Sequence, residues 1–115
     1  MMSLRSIDLI VHDVPRAVAF FRNVVGLAVV QEFERFTELE GGGVRLMLSP
    51  DALVPIANAA GIILHFEEPD IGAALRRANE HRATVLKGPL KTDWGTESLL
   101  VQGPEGVVVD FFHPL

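Results

Sequence analysis

Two stretches decide how this chain folds: IDLIVHDVPRAVAFFRNVV at residues 7–25 and IILHFEEPDIGAALRRANEH at residues 62–81. Each begins with an aliphatic, β-branched run typical of a strand and continues, past an aspartate and a proline, with apolar residues at helical spacing. Asp13 and Asp70 lie 57 positions apart, as do Ala17 and Ala74, and twice 57 is nearly the full 115 residues. Two copies are too few for a solenoid, so we expect them to pair around one cavity.

Both units are predicted to follow the order β-α-β-β-β. In the first unit, Asp13 is a helix N-cap and Gly26 is the C-terminal stop. In the second, Asp70 opens the helix and residues 103–106 (GPEG) turn the closing hairpin, whereas residues 87–95 are interpreted as a loop. We therefore expect a single domain over residues 1–115, with module one at about 1–49, a linker at 50–60 and module two at about 61–115.

Composition narrows the range of functions. The net charge of −5, with ten scattered basic residues, argues against a nucleic-acid partner, because phosphate neutralisation needs clustered Lys and Arg. The absence of cysteine excludes a disulfide scaffold and a thiolate zinc site. The chain shows neither a signal-peptide pattern nor an apolar stretch of about 20 residues, so we expect a cytoplasmic protein that does not enter a membrane.

The motifs at both ends of the chain belong together. Residues 11–14 (VHDV), 17–22 (AVAFFR) and 24–27 (VVGL) are followed, near the end, by 94–96 (WGT) and 103–112 (GPEGVVVDFF). In this order they resemble the glyoxalase/bleomycin-resistance/dioxygenase group, also called the vicinal oxygen chelate superfamily. The resemblance covers essentially the whole chain. It implies an α+β fold of two paired βαβββ modules with a cleft between curved mixed sheets, commonly in a homodimer.

The resemblance also implies where a metal ion would bind in metal-dependent relatives. The corresponding positions are on the first and last strands of each module, and here they hold Ser6, Met47, Ile63 and Asp110. Only Asp110 is a usual ligand, and a catalytic metal needs about three protein donors. We therefore expect no metal site and no cofactor, which makes lactoylglutathione lyase and extradiol dioxygenase activities doubtful.

Alternation along the strands identifies candidate site residues. Ile63, His65 and Glu67 share one face of their strand, and Asp110 shares a face with Phe112. If these faces line the cavity, His65 and Asp110 can form a hydrogen-bonded pair suited to acid–base chemistry. The alternative for His65 is a satisfied structural histidine, and the alternative for Asp110 is an ion pair with an arginine.

Three further residues complete the candidate set. Trp94, beside Gly95 in the predicted loop, suits a flat or cationic compound, or else forms a lid over the edge of the core. Phe112 offers apolar surface to the same ligand. Arg45 is the arginine available to Asp110, or to Asp8 within module one.

The sequence favours a metal-free homodimer that binds a small molecule, by analogy with bleomycin-resistance proteins that sequester a basic drug. In that role Asp110 and Glu67 attract the cation. The alternative is a lyase, isomerase or dioxygenase-like enzyme with an atypical site built from His65, Glu67 and Asp110. A third interpretation is a partner module whose cleft is filled by side chains. Catalytic residues are not assigned.

Overall fold

A computed structural model describes residues 2–56 and 60–115. The chain divides into two compact units, residues 1–59 and 60–115. The middle of the predicted linker, residues 57–59, lies outside the described residues. Each unit contains one helix and a four-stranded mixed sheet, so the predicted α+β class with two βαβββ modules is confirmed. Within the described residues, none of the helices is long and apolar enough to cross a membrane.

Module one is built around a helix that begins and ends where the sequence predicts. Asp13 caps it by accepting a 3.1 Å hydrogen bond from the backbone N–H of Arg16. Gly26 ends it with a φ of 90°, which a side chain would strain. The elements are β1 (Ser6–Ile10), α1 (Val14–Phe20, continuing as a π-helical segment over Phe21–Val25), β2 (Ala28–Phe33), β3 (Phe36–Glu40) and β4 (Arg45–Ser49). The strand order is β1-β4-β3-β2, with β1 and β4 parallel.

Module two repeats this plan. Asp70 caps its helix by accepting a 3.0 Å hydrogen bond from the backbone N–H of Ala73. The elements are β5 (Ile63–Glu67), α2 (Ile71–Glu80), β6 (Val85–Lys91), β7 (Thr96–Gln102) and β8 (Val108–Pro114), with a 3₁₀ turn at Pro104–Gly106. The strand order is β5-β8-β7-β6, with β5 and β8 parallel.

The prediction of a loop over residues 87–95 is wrong for its first half, because β6 continues to Lys91. β6 is an edge strand, where the missing N–H of Pro89 breaks no inner ladder. Its register with β7 shifts on either side of Lys87, which hides the alternating pattern that marks a strand. Gly88 is required there, because a Cβ would lie 2.6 Å from the carbonyl oxygen of Ser98.

In both modules the helix packs on one face of the sheet only. The apolar stripe of each helix meets alternate strand residues, which are completely or almost completely buried. These core residues are Leu9, Ala17, Phe21, Leu39 and Leu48 in module one, and Ala74, Ala78, Leu99, Val101, Val109 and Phe111 in module two. The residues between them along each strand point to the opposite face, which we call the open face of each sheet.

Candidate functional site

The open face of module two carries four of the predicted site residues. Phe111 marks the helix side, because Arg77 of α2 lies over its ring at 5.9 Å. Its neighbours Asp110 and Phe112 therefore belong to the open face. On the adjacent parallel strand, His65 is in register with Asp110 and Glu67 with Phe112. Two strands that are 45 residues apart in sequence thus bring an imidazole, two carboxylates and an aromatic ring together.

His65 and Asp110 form the hydrogen-bonded pair that the sequence predicts. Nδ1 of His65 lies 2.8 Å from Oδ2 of Asp110, and the His65 side chain is 59% exposed while that of Asp110 is 10% exposed. An ionised carboxylate only accepts hydrogen bonds, so Nδ1 is the donor and carries the proton. The bond therefore orients the imidazole with Nε2 directed away from Asp110. Within the described residues, Nε2 makes no hydrogen bond.

The second oxygen of Asp110 is the unusual atom of this face. Oδ1 is buried and has no hydrogen-bond partner among the described residues. Asp110 is buried because β8 is an inner strand, flanked by β5 and β7, with Leu100 directly opposite on β7. A buried acceptor without a donor is costly, since it has lost water and gained nothing in return. Among the described residues, Asp110 pairs with His65 and not with an arginine, and the side chain of His65 is exposed.

Phe112 and Glu67 border the pair. The ring of Phe112 meets the imidazole of His65 edge to face, with 6.2 Å between centroids. Glu67 is exposed and lies directly across from Phe112. The open face therefore combines a partly buried negative charge, a second carboxylate at its margin and one apolar ring. Whether these four residues bind a ligand stays a prediction.

Arg45 and Trp94 are on elements other than β5 and β8. Arg45 is on the open face of module one, where its guanidinium forms ion pairs with Glu38 and, at 3.1 Å, with Glu40. The recorded partners of Arg45 are therefore two carboxylates on β3, where the sequence suggested Asp8 or Asp110. Trp94 lies in the turn between β6 and β7 and is 76% exposed, so it does not cover the core as a lid.

A further charged pair of module two, which the sequence did not reveal, joins His113 and Glu97. Nε2 of His113 lies 3.1 Å from Oε1 of Glu97, and Nδ1 lies 2.9 Å from the carbonyl oxygen of Pro114. Both partners accept hydrogen bonds, which favours the doubly protonated ring. The hydrogen bond to the Pro114 carbonyl, followed by the one to Glu97, raises the pKa of His113. Pairing of β7 with β8 places Glu97 opposite His113, and only that register reveals it.

The residues present do not fit the metal site that the family resemblance implies. Over residues 2–56 and 60–115, no three His, Asp or Glu side chains are grouped so that they could hold a metal ion. Asp110 stands at one implied position, but Ile63 offers only hydrocarbon at another. Nδ1 of His65 donates a hydrogen bond to Asp110, which leaves Nε2 as the ring nitrogen with a lone pair. Asp110 and His65 together would offer two donors, fewer than the about three protein ligands that a catalytic metal needs.

Comparison with known proteins gives three informative similarities. The chain is 42% identical to a solved structure described as a conserved domain protein, with a TM-score of 0.89, over 99% of this chain and 100% of the other. It is 21% identical to TnmS3, an antibiotic binding protein from Streptomyces sp. CB03234, with a TM-score of 0.80, over 100% and 98% of the two chains. It is 26% identical over 113 residues to catechol-2,3-dioxygenase of Bacillus subtilis (strain 168), covering 90% of this chain but only 39% of the dioxygenase.

A family-level match covers almost the whole chain. The sequence pattern that defines one superfamily matches residues 3–111, from before β1 into β8, and so includes both modules. The resemblance noted from the motifs is thereby confirmed. The chain belongs to the Glyoxalase/Bleomycin resistance protein/Dioxygenase superfamily.

Proposed function

We propose that this protein binds a small basic molecule on the open face of module two, without a metal ion and without chemical conversion. The observation that carries the proposal is the buried Oδ1 of Asp110, for which the described part of the chain supplies no hydrogen-bond partner. A bound ligand that donates a hydrogen bond to this oxygen would satisfy it. The charge on Asp110 explains why the ligand would be basic.

The surroundings of Asp110 support the same ligand chemistry. Glu67 adds a second negative charge, and the protein as a whole carries a net charge of −5, so cations are attracted over a longer range. Phe112 offers an apolar surface beside the carboxylate. TnmS3, which shares the fold, is described as an antibiotic binding protein. A cysteine-free chain also suits the cytoplasm, where we place this role.

We propose a homodimer as the working state. Both strands β2 and β6 are sheet edges, and β2 carries exposed apolar side chains at Val30 and Phe33. Exposed edge strands with apolar residues are natural association surfaces. Light scattering after size exclusion would give about twice the 12.6 kDa chain mass for the dimer, and the chain mass itself would contradict it.

Thermal-shift measurements test the binding proposal. A panel of basic, neutral and acidic aromatic compounds is screened against the wild type, Asp110→Asn and the control Glu80→Gln. Glu80 is exposed at the end of α2, so its substitution removes the same charge away from the open face. A native-state ligand raises the melting temperature by mass action. We expect basic compounds to stabilise the wild type and Glu80→Gln but not Asp110→Asn. Stabilisation that Asp110→Asn retains would overturn the assignment to this face.

One observation favours a second candidate, a proton-transferring enzyme. The carboxylate of Asp110 holds Nδ1 of His65 at 2.8 Å, and Nε2 is available on an exposed ring, which is the arrangement of an oriented general base. Such a base would exchange an acidic C–H proton of a bound carbonyl compound with solvent. Proton NMR in D₂O, with a panel of small ketones and aldehydes, detects this exchange without knowledge of the substrate. Exchange that is lost in His65→Gln would support the enzyme, and exchange equal to that of buffer would exclude this activity for the panel.

A further inference from the structure

We infer that the ligand of this open face carries an N–H cation, namely a primary or secondary ammonium, an amidinium or a guanidinium, and that a quaternary ammonium is not accepted. This inference rests on the proposed binding function and names the chemical class of its ligand. It follows from the hydrogen-bonding character of the face, the burial of one atom and the number of aromatic rings.

The centre of the face offers only acceptors when His65 is neutral. Because Nδ1 donates to Oδ2 of Asp110, the remaining ring nitrogen, Nε2, carries a lone pair and no proton. Oδ1 of Asp110 and both oxygens of an ionised Glu67 also accept. These groups lie on two adjacent strands in register, His65 with Asp110 and Glu67 with Phe112. A ligand that meets this surface must supply donors, and the negative charge selects a donor that is positively charged.

The burial of Oδ1 requires a real hydrogen bond and not only a nearby charge. The Asp110 side chain is 90% buried, since its exposure is 10%, and its Oδ1 is one of two buried side-chain atoms, with Oε2 of Glu40 in module one, that lack a hydrogen-bond partner among the described residues. A quaternary ammonium has no N–H, and its methyl groups hold the charge away from a recessed oxygen. It would bury the carboxylate further without satisfying it, which is unfavourable. An N–H group that contacts this oxygen would form a charge-assisted hydrogen bond with it.

The aromatic content of the face leads to the same class. Proteins that bind quaternary ammonium groups usually surround them with several aromatic rings. Along the paired strands β5 and β8, the open face presents one ring, that of Phe112, and it meets His65 edge to face. Trp94 projects from a turn and is largely exposed. A single ring can contact the apolar part of a ligand, but it cannot replace a hydrogen bond to Oδ1 of Asp110.

A matched series of four probes tests the inference on the folded wild-type chain. Benzylamine and benzamidine carry N–H cations, N,N,N-trimethylbenzylammonium carries the charge without N–H, and benzamide carries N–H without the charge. Dissociation constants are measured by two-dimensional NMR titration at low salt and about pH 8, where an ordinary imidazole is neutral. The same series is repeated on Asp110→Asn and on the control Glu80→Gln.

We expect benzylamine and benzamidine to bind the wild type and Glu80→Gln at least tenfold more tightly than the quaternary compound and benzamide, and this preference to disappear in Asp110→Asn. A tenfold ratio corresponds to about 1.4 kcal/mol. The cross-peaks that shift should come from β5 and β8.

Other results overturn the inference in separable ways. A quaternary compound that binds within tenfold of benzylamine would show recognition by charge alone, and the binding function would stand. A preference for N–H cations that persists in Asp110→Asn would remove Asp110 from the site. If none of the four probes binds although a neutral or acidic compound of the thermal-shift panel does, the ligand class is wrong. If nothing in either set binds, the proposed function itself fails.

Discussion

The two modules have the same topology and the same kind of core, but their open faces differ in how they treat charge. In module one, Arg45 forms ion pairs with Glu38 and Glu40 on the adjacent strand. In module two, Asp110 shares one oxygen with His65 and leaves the other without a partner in the described structure. The helix side holds each unit together. Each open face has one buried carboxylate oxygen without a hydrogen-bond partner among the described residues, Oε2 of Glu40 in module one and Oδ1 of Asp110 in module two. Oε2 of Glu40 lies 3.1 Å from Nε of Arg45, whereas no arginine or lysine of the described residues forms an ion pair with Asp110. This difference is the reason for proposing the binding site on module two.

Corresponding positions make the contrast sharper. The 57-residue repeat places Asp8 at the position of His65, and β1 pairs with β4 as β5 pairs with β8. Asp8 is therefore in register with Met47, where His65 is in register with Asp110. Module one has an exposed acid beside a thioether, and module two has an exposed imidazole beside a buried acid. The same backbone position thus gives an inert pair in one module and a polar pair in the other.

The largest expected effect tests what the modules share. Leu48→Ala in module one and Phe111→Ala in module two should each lower the free energy of unfolding by about 3–5 kcal/mol, because both side chains are almost completely buried on the helix side. Urea denaturation of each variant gives the loss directly. Lys91→Ala, at an exposed position, serves as the control and should change stability by less than about 0.5 kcal/mol. If one of the two substitutions lowered the free energy of unfolding much less than the other, the two cores would not contribute equally to stability.

The next effect tests the open face of module two. Asp110→Met gives it the side chain that Met47 provides in module one, and we expect the free energy of unfolding to rise by about 1–3 kcal/mol. The physical reason is that an unsatisfied buried acceptor is removed, while water can replace Asp110 as the partner of the exposed His65. Melting temperature and urea midpoint both report the change, with Glu80→Gln controlling for the lost charge. A decrease in stability would mean that Oδ1 is already satisfied in the free protein.

A smaller effect tests the open face of module one. Arg45→Met should lower the free energy of unfolding by about 1 kcal/mol, because Glu38 is only 15% exposed and would lose its cation, while the exposure of Arg45 limits the loss. The double variant Arg45→Met/Glu38→Gln should recover part of that loss. Urea denaturation of the two single variants and the double variant gives the coupling energy. Strict additivity would show that the ion pair does not stabilise module one.

The smallest effect concerns pH. The pKa of His113 is raised in the folded protein, chiefly by the hydrogen bond to the Pro114 carbonyl and then by Glu97. Its contribution to stability is therefore complete below the unfolded pKa of about 6.5 and is lost as pH rises through the folded pKa. Melting temperatures between about pH 5.5 and 8.5 should fall less steeply for His113→Gln than for the wild type. NMR titration of His113 should also give a lower pKa in Glu97→Gln than in the wild type. An unchanged pKa would contradict the contact between His113 and Glu97.

Much of the fold could be predicted from the sequence, because its signals are local. Asp13 and Asp70 begin the helices, Gly26 ends the first, and alternation correctly groups His65 with Glu67 and Asp110 with Phe112. The features of the fold that the sequence did not predict also have local causes. The continuation of β6 past Pro89 was missed because the shifted register of an edge strand erases the period of two that identifies strands. The π-helical segment at residues 21–25 carries no sequence signal that distinguishes it from an α-helix.

The sequence by itself determined which side chains share a face, because alternation along a strand is a property of the backbone of that strand. It also determined the duplication and the acidic character of the chain. Only the tertiary structure decided which strands pair and in which register. It placed His65 opposite Asp110, assigned Arg45 to Glu38 and Glu40, and left Oδ1 of Asp110 without a donor among the described residues. Partners across a sheet depend on the register between strands far apart in sequence, and that register is set by the packing of the whole module.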